Sequence, residues 1–259
     1  MLTPGPVKVS FGTIPAQSTL DFGPAPPKLG LPMASLAQLL ASHRRILVLD
    51  AASTRVQVGL LREGQAFRWH AADDEAGKAI FAGASSLLTQ MGWRLEDIGA
   101  FAYCEGPGSM LGVRTVAMTL RTWCVLKPRP VYAYQSLTVA GTHVWGQKPG
   151  RGFSVIADAR RDAWHCQEVK DDGRLPALRR ISTPELPSHE LAMPENFRTW
   201  TRLPRPVMTT SYDLARIFPE ILQGDIFREV PAPDAFQHEA PDYKKWPAQP
   251  HSAASVSRA

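Results

Sequence analysis

Three short stretches carry residue types from which a chemical site could be built. Asp50 closes the apolar run Ile46-Leu47-Val48-Leu49 and is followed by Ala51-Ala52-Ser53-Thr54. Gly106-Pro107-Gly108-Ser109-Met110-Leu111-Gly112-Val113-Arg114 joins a second apolar run to a long helical pattern, and Asp158-Ala159-Arg160-Arg161-Asp162 closes a third. A glycine-rich turn that opens a helix lets backbone approach a phosphate, because the first helical amides lack partners and the helix dipole is positive there. The same turn also suits plain packing: Pro107 removes an amide, Ser109 is an N-cap residue, and glycines let a strand and a helix cross closely. Asp50 can likewise hold a metal-bound water or simply cap the next turn. No glycine follows it, so side-chain carbons fill the space a phosphate would need, and ATP hydrolysis there is disfavoured. The Asp158 to Asp162 cluster reads as a carboxylate–guanidinium site or as a solvated strand connection.

Other catalytic templates are absent from the sequence. Gly106, Gly108 and Gly112 miss the dinucleotide fingerprint by one residue, no Walker lysine follows a glycine loop, and there is no Gly-x-Ser-x-Gly elbow. The seven histidines are scattered, with no pair four residues apart to share a helical face, so no metal site is expected. Cys104, Cys124 and Cys166 are odd in number and far apart, which fits buried thiols rather than a disulfide framework. A formal charge of +5 over 259 residues permits contact with nucleic acid without indicating it. The sequence shows neither a long apolar span nor a signal-peptide pattern, so the expectation is a cytoplasmic protein without a membrane partner.

The elements that must position these residues follow from periodicity. Residues 1–43 are rich in Pro, Gly, Ser and Ala and are expected to form a flexible N-terminal extension, with only a hint of helix over 34–40. Strands are predicted over 46–50, 55–61 and 65–70, then a helix over 75–91 with Gly92 as C-cap, a strand over 98–104, a helix over 109–126, a strand over 131–134 and a helix from Ser136 to about Trp145. That βββαβαβα order defines a first lobe over 44–149. A second, proline-rich lobe over 150–246 restarts with strands over 153–157 and 163–169, a weaker one near 175–181 and a short helix over 212–218; a flexible tail over 247–259 follows.

Both long helices invite a neighbour. The first carries Ala76, Ala79, Ile80, Gly83 and Leu87 among many small residues, and the second carries Met110, Val113 and Leu120. A helix apolar on most sides is buried on more than one, either inside its own domain or against another subunit.

Two β-rich halves, each opening with an aspartate at a strand end, suggest by analogy an α/β, actin-like ATPase (ribonuclease H-like) fold of two lobes with a shortened second lobe. The stretch Ile46 to Thr54, the Gly106-Pro107-Gly108-Ser109 turn through Gly112-Val113-Arg114, Ser136-Leu137 and Asp158-Ala159-Arg160 together resemble the TsaB (YeaZ) family, with Pro241-Asp242-Tyr243-Lys244 a fainter likeness near the C-terminus. The resemblance implies a non-catalytic subunit of the machinery that makes threonylcarbamoyladenosine next to the tRNA anticodon. It would pair through its first-lobe helices with a TsaD-like catalytic subunit, recruit a TsaE-like ATPase, meet tRNA through the complex and self-associate when alone. No cofactor of its own is implied; ATP or ADP with Mg would bind only at an interface with partners. The chain departs from the family at Met110-Leu111, Val116 and Arg121-Thr122. An active small-molecule kinase or ATPase of the same fold, using Asp50 and the Gly106 to Ser109 turn, is the alternative.

Overall fold

The strand Arg45–Asp50 (β2) is apolar from Ile46 to Leu49, as suits a strand inside a sheet covered on both faces. In this computed structural model, which describes residues 33–203 and 205–236 within one compact unit, β2 pairs antiparallel with Val56–Arg62 (β3) and parallel with Ala100–Gly106 (β5). Arg68–Ala72 (β4) extends the meander beyond β3, and Val131–Gln135 (β6) runs parallel to β5. The helices Ala76–Met91 (α2), Met110–Leu126 (α3) and Ser136–Gln147 (α4) connect these strands at the predicted places. Gly92 ends α2 in the left-handed conformation and Ser109 caps α3 through its side chain.

The N-terminal boundary needs correction. Residues 33–43, placed in the extension by their composition, form a short strand Met33–Ser35 (β1) and a helix Leu36–His43 (α1). Leu36, Leu39 and Leu40 of α1 are buried in the main core, and Ser35 with Gln38 makes a reciprocal capping box. Residues 1–32 and the 247–259 tail lie outside the described residues, as do Pro241 to Lys244.

The second half repeats the plan of the first. Phe153–Asp158 (β7), Ala163–Val169 (β8) and Arg179–Ser182 (β9) form an antiparallel meander. Leu191–Pro194 (β10) and Met208–Thr210 (β11) then add in parallel on the β7 side. The order β11-β10-β7-β8-β9 matches β6-β5-β2-β3-β4 strand for strand. Among the described residues the two crossover α-helices of the first half have no α-helical counterpart between β9 and β11, where only the 3-10 turn Thr183–Glu185 forms; Pro184, Pro187 and Pro206 fall in those connections. Leu186, Leu203 and Val207 cover a small core around Trp164 and Ile181 in their place. After Leu214–Glu220 (α5), the strand Asp225–Glu229 (β12) returns to the first sheet between β1 and β6. The boundary expected at 149/150 therefore does not hold the whole second half apart. Helix α4 packs against strands of both sheets, and one core runs through residues of each.

Candidate functional site

Asp50 ends β2 completely buried, and its acceptor capacity is largely taken. Oδ1 accepts the Ala52 amide at 2.9 Å, while Oδ2 accepts the hydroxyls of Tyr134 on β6 and Tyr212 before α5, each at 2.8 Å. Tyr212 also lies 3.8 Å from the Cys104 sulfur. Burial pushes the Asp50 carboxyl above its ordinary value, against the opposing pull of those donors. Burial, and then the Asp50 charge, likewise push both tyrosines and the Cys104 thiol up. A carboxylate so enclosed does not fit a magnesium-bound water.

The glycine turn is occupied by the chain itself. A Cβ on Gly108 would lie 2.2 Å from the Ala52 carbonyl oxygen, and one on Gly112 would lie 2.1 Å from that of Ala51. Gly108 has φ of 151° and Gly106 of 106°, so the turn also needs glycine conformationally. The Ser109 amide donates to the Ala52 carbonyl at 2.7 Å, and the Ser136 hydroxyl to that of Pro107 at 2.6 Å. Ser53 turns inward, donating to the Arg55 carbonyl at 2.7 Å. The close approach that a phosphate would require is thus made by the β2–β3 turn. Of the residues read as able to face a phosphate, Asp50, Ser53, Gly106, Pro107, Gly108, Ser109 and Gly112 come together as a packing cluster, which is the plain-packing alternative for this turn. Arg114 sits apart on the exposed side of α3.

Asp158 and Arg160 form a second cluster on the other sheet. The Asp158 carboxylate accepts the amides of Arg160, Trp200 and Thr201, each at 2.6 Å. Burial raises its pKa, but the donated amides outweigh it, so the net shift is downward. Arg160, Arg161 and Asp162 all have positive φ, and the Arg160 guanidinium stacks 4.4 Å from the ring centre of the exposed Trp200. The two clusters are joined by the strap after β10, where Thr54 donates its amide to the Asn196 carbonyl at 2.8 Å. Sequence reasoning missed Tyr134, Tyr212 and Trp200, none of which stands at a fixed spacing from the motifs. Among the described residues no three His, Cys, Asp or Glu side chains converge on a metal-sized site, and no helix is long and apolar enough to cross a membrane.

The residues proposed for a partner face divide. Ala79, Ile80, Gly83 and Leu87 of α2, with Val113 and Leu120 of α3, are buried against the first sheet. A Cβ on Gly83 would lie 2.9 Å from Val58 and His70 side chains, so the small residues let the helix approach its own sheet. Ala76 is half-buried and Met110 is exposed. The outward surface of the pair carries Phe81, Met110, Leu111 and Met118, exposed by 54%, 47%, 77% and 58%. The Phe81 ring packs edge-on against Trp123 of α3, 5.9 Å between centroids, which makes the two helices one surface there.

Comparison with known proteins agrees with this architecture. The family described as TsaD, tRNA N6-adenosine threonylcarbamoyltransferase, matches residues 73–175. The tRNA threonylcarbamoyladenosine biosynthesis protein TsaB of Escherichia coli K12 is 26% identical over 129 residues, covering 49% of this chain and 56% of that protein. By sequence the chain is similar to this TsaB protein. It spans little more than half the length of that curated relative. Two solved structures from Pseudomonas aeruginosa, YeaZ and an uncharacterized protein with similarity to peptidase YEAZ, superpose with a TM-score of 0.52 at 20% identity, covering 68% of this chain and 88% and 89% of theirs. The α/β fold expected from the sequence is shared with these YeaZ structures.

Proposed function

We propose that this TsaB relative is a non-catalytic subunit in the synthesis of threonylcarbamoyladenosine on tRNA, pairing with a TsaD-like catalytic subunit in the cytoplasm. The observation that carries the reading is the apolar outward surface of α2 and α3, centred on Phe81, Leu111 and Met118, on a chain whose motif aspartate and glycines are engaged internally. Exposed apolar side chains gathered on one surface mark a place where another protein removes them from water. The matches to TsaB by sequence and to the TsaD family description supply the chemical context. On this reading a TsaE-like ATPase and tRNA meet the pair, and any nucleotide lies between subunits rather than at Asp50.

The test is to mix the full chain with the TsaD-like protein of the same genome and measure complex mass by light scattering. A one-to-one complex is expected, lost in a Phe81→Glu, Met118→Glu double variant that still melts as the parent does. Persistence of a homodimer in excess TsaD-like protein, or tight one-to-one binding of ATP and magnesium by the isolated chain, would overturn the proposal.

A further inference from the structure

At the end of β2 remote from Asp50, Arg45 is paired directly with Arg62 of β3 in the antiparallel ladder. Like charges set opposite one another destabilise a sheet. Both guanidiniums gather over one indole, 4.3 Å and 5.8 Å from the Trp93 ring centre, and among the described residues neither makes an ion pair with a carboxylate. With His43, Arg44, Glu63 and Asp97 they line an open recess of about 580 Å³. The acids offset only part of this charge: three guanidiniums face two carboxylates, and Asp97, which lies within reach of the Arg45 charge, also accepts the Arg94 amide at 2.8 Å. His43 is held by Tyr132, ring nitrogen to hydroxyl 2.8 Å. Arg44, which ends α1 at a φ of 56°, is kept in that unfavourable backbone conformation on the rim.

We propose that this recess is a phosphate-binding site in which Arg44, Arg45 and Arg62 hold the oxyanion of a nucleic-acid backbone or of a free phosphate compound. Guanidinium forks match phosphate oxygens bidentately, and an anion between Arg45 and Arg62 removes the repulsion that the ladder otherwise imposes. The stacked Trp93 holds both planes in place before the ligand arrives. The site lies on a different part of the first sheet from the α2–α3 surface, and the proposal does not depend on the family reading.

The test uses the full chain at low salt, with radiolabelled inorganic phosphate in equilibrium dialysis and a short single-stranded RNA in calorimetry. Saturable binding is expected in at least one arm, falling about tenfold or more in Arg45→Gln, Arg62→Gln, as loss of charge-assisted hydrogen bonds requires. Binding of RNA alone assigns a backbone phosphate, and binding of inorganic phosphate alone assigns a free compound; either supports the proposal. Arg62→Glu should abolish binding while raising the melting temperature, since it creates a cross-strand ion pair with Arg45, and Arg151→Gln, in the loop before β7, should leave binding unchanged. Unchanged affinity in the double glutamine variant, equal displacement by acetate, or no binding in either arm would overturn it.

Discussion

Two phenolic hydroxyls on Oδ2 and one amide on Oδ1 turn Asp50 from a ligand-facing carboxylate into a buried junction between β2, β6 and the start of α5. The arrangement carries a cost that depends on pH. Because burial holds the folded-state pKa above the ordinary 3.8, the native protein binds this proton more tightly than the unfolded chain does. The contribution of Asp50 is therefore fully present below about pH 3.8 and is lost as pH rises through its folded-state value. Asp50→Asn removes that titration. Urea unfolding of parent and variant across the acid range should show the parent losing ground to the variant as pH rises; a difference that stays flat would mean the carboxylate is not desolvated. Asp158 has the opposite sign, since its lowered pKa favours the native state above the ordinary value and that support is lost in acid. The apolar run before Asp50 made its strand-end position legible from sequence. Its tyrosine partners come from 84 and 162 residues further along the chain, a pairing that no local spacing encodes.

The regular elements of the first half were legible because each is long, periodic and bounded by a cap or a turn, as α2 is by Gly92 and α3 by Ser109. Helix α1 was obscured by the proline-rich composition around it, although Ser35 and Gln38 already spelled a capping box. Packing decides that α1 belongs to the fold. Leu36 is fully buried, and the Ala37 amide bonds to the Leu222 carbonyl at 3.0 Å, tying the helix to the segment before β12. Leu36→Ala should accordingly cost about 2–5 kcal/mol in chemical unfolding, the range for deleting a buried leucine side chain. A change below about 0.5 kcal/mol, the usual size for surface positions, would return α1 to a loosely attached extension. Helices α2 and α3 show the converse. Their small and apolar residues announced close neighbours, but sequence could not say that the neighbour of Gly83 is Val58 of the same sheet, leaving Phe81 and Met118 to face outward.

Across the whole molecule, the repeated strand order shows one plan used twice, with the second copy stripped of the helices that cover the first. The duplication was legible in two strand-end aspartates. The return of β12 to the first sheet was not, because a five-residue strand carries too little pattern to reveal its partners. The halves are joined by polar bonds as well as by α4. Gln57, buried in β3, donates from Nε2 to the Tyr212 carbonyl at 2.8 Å and accepts the Leu214 amide on Oε1 at 2.8 Å, fastening the start of α5 to the first sheet. Tyr212 in turn packs edge-on against Phe197 of the strap after β10, 5.1 Å between ring centres, so the same clamp reaches the second sheet. Gln57→Ala would leave a buried amide and a buried carbonyl unpaired, at about 1–3 kcal/mol for each group left without a partner. Hydrogen exchange should then speed up first at the amides of α5 and of residues 196–200, ahead of β2 and β5. Uniform acceleration across both sheets would instead mean that the clamp stabilises the fold globally, and that the second half has no independent freedom to release.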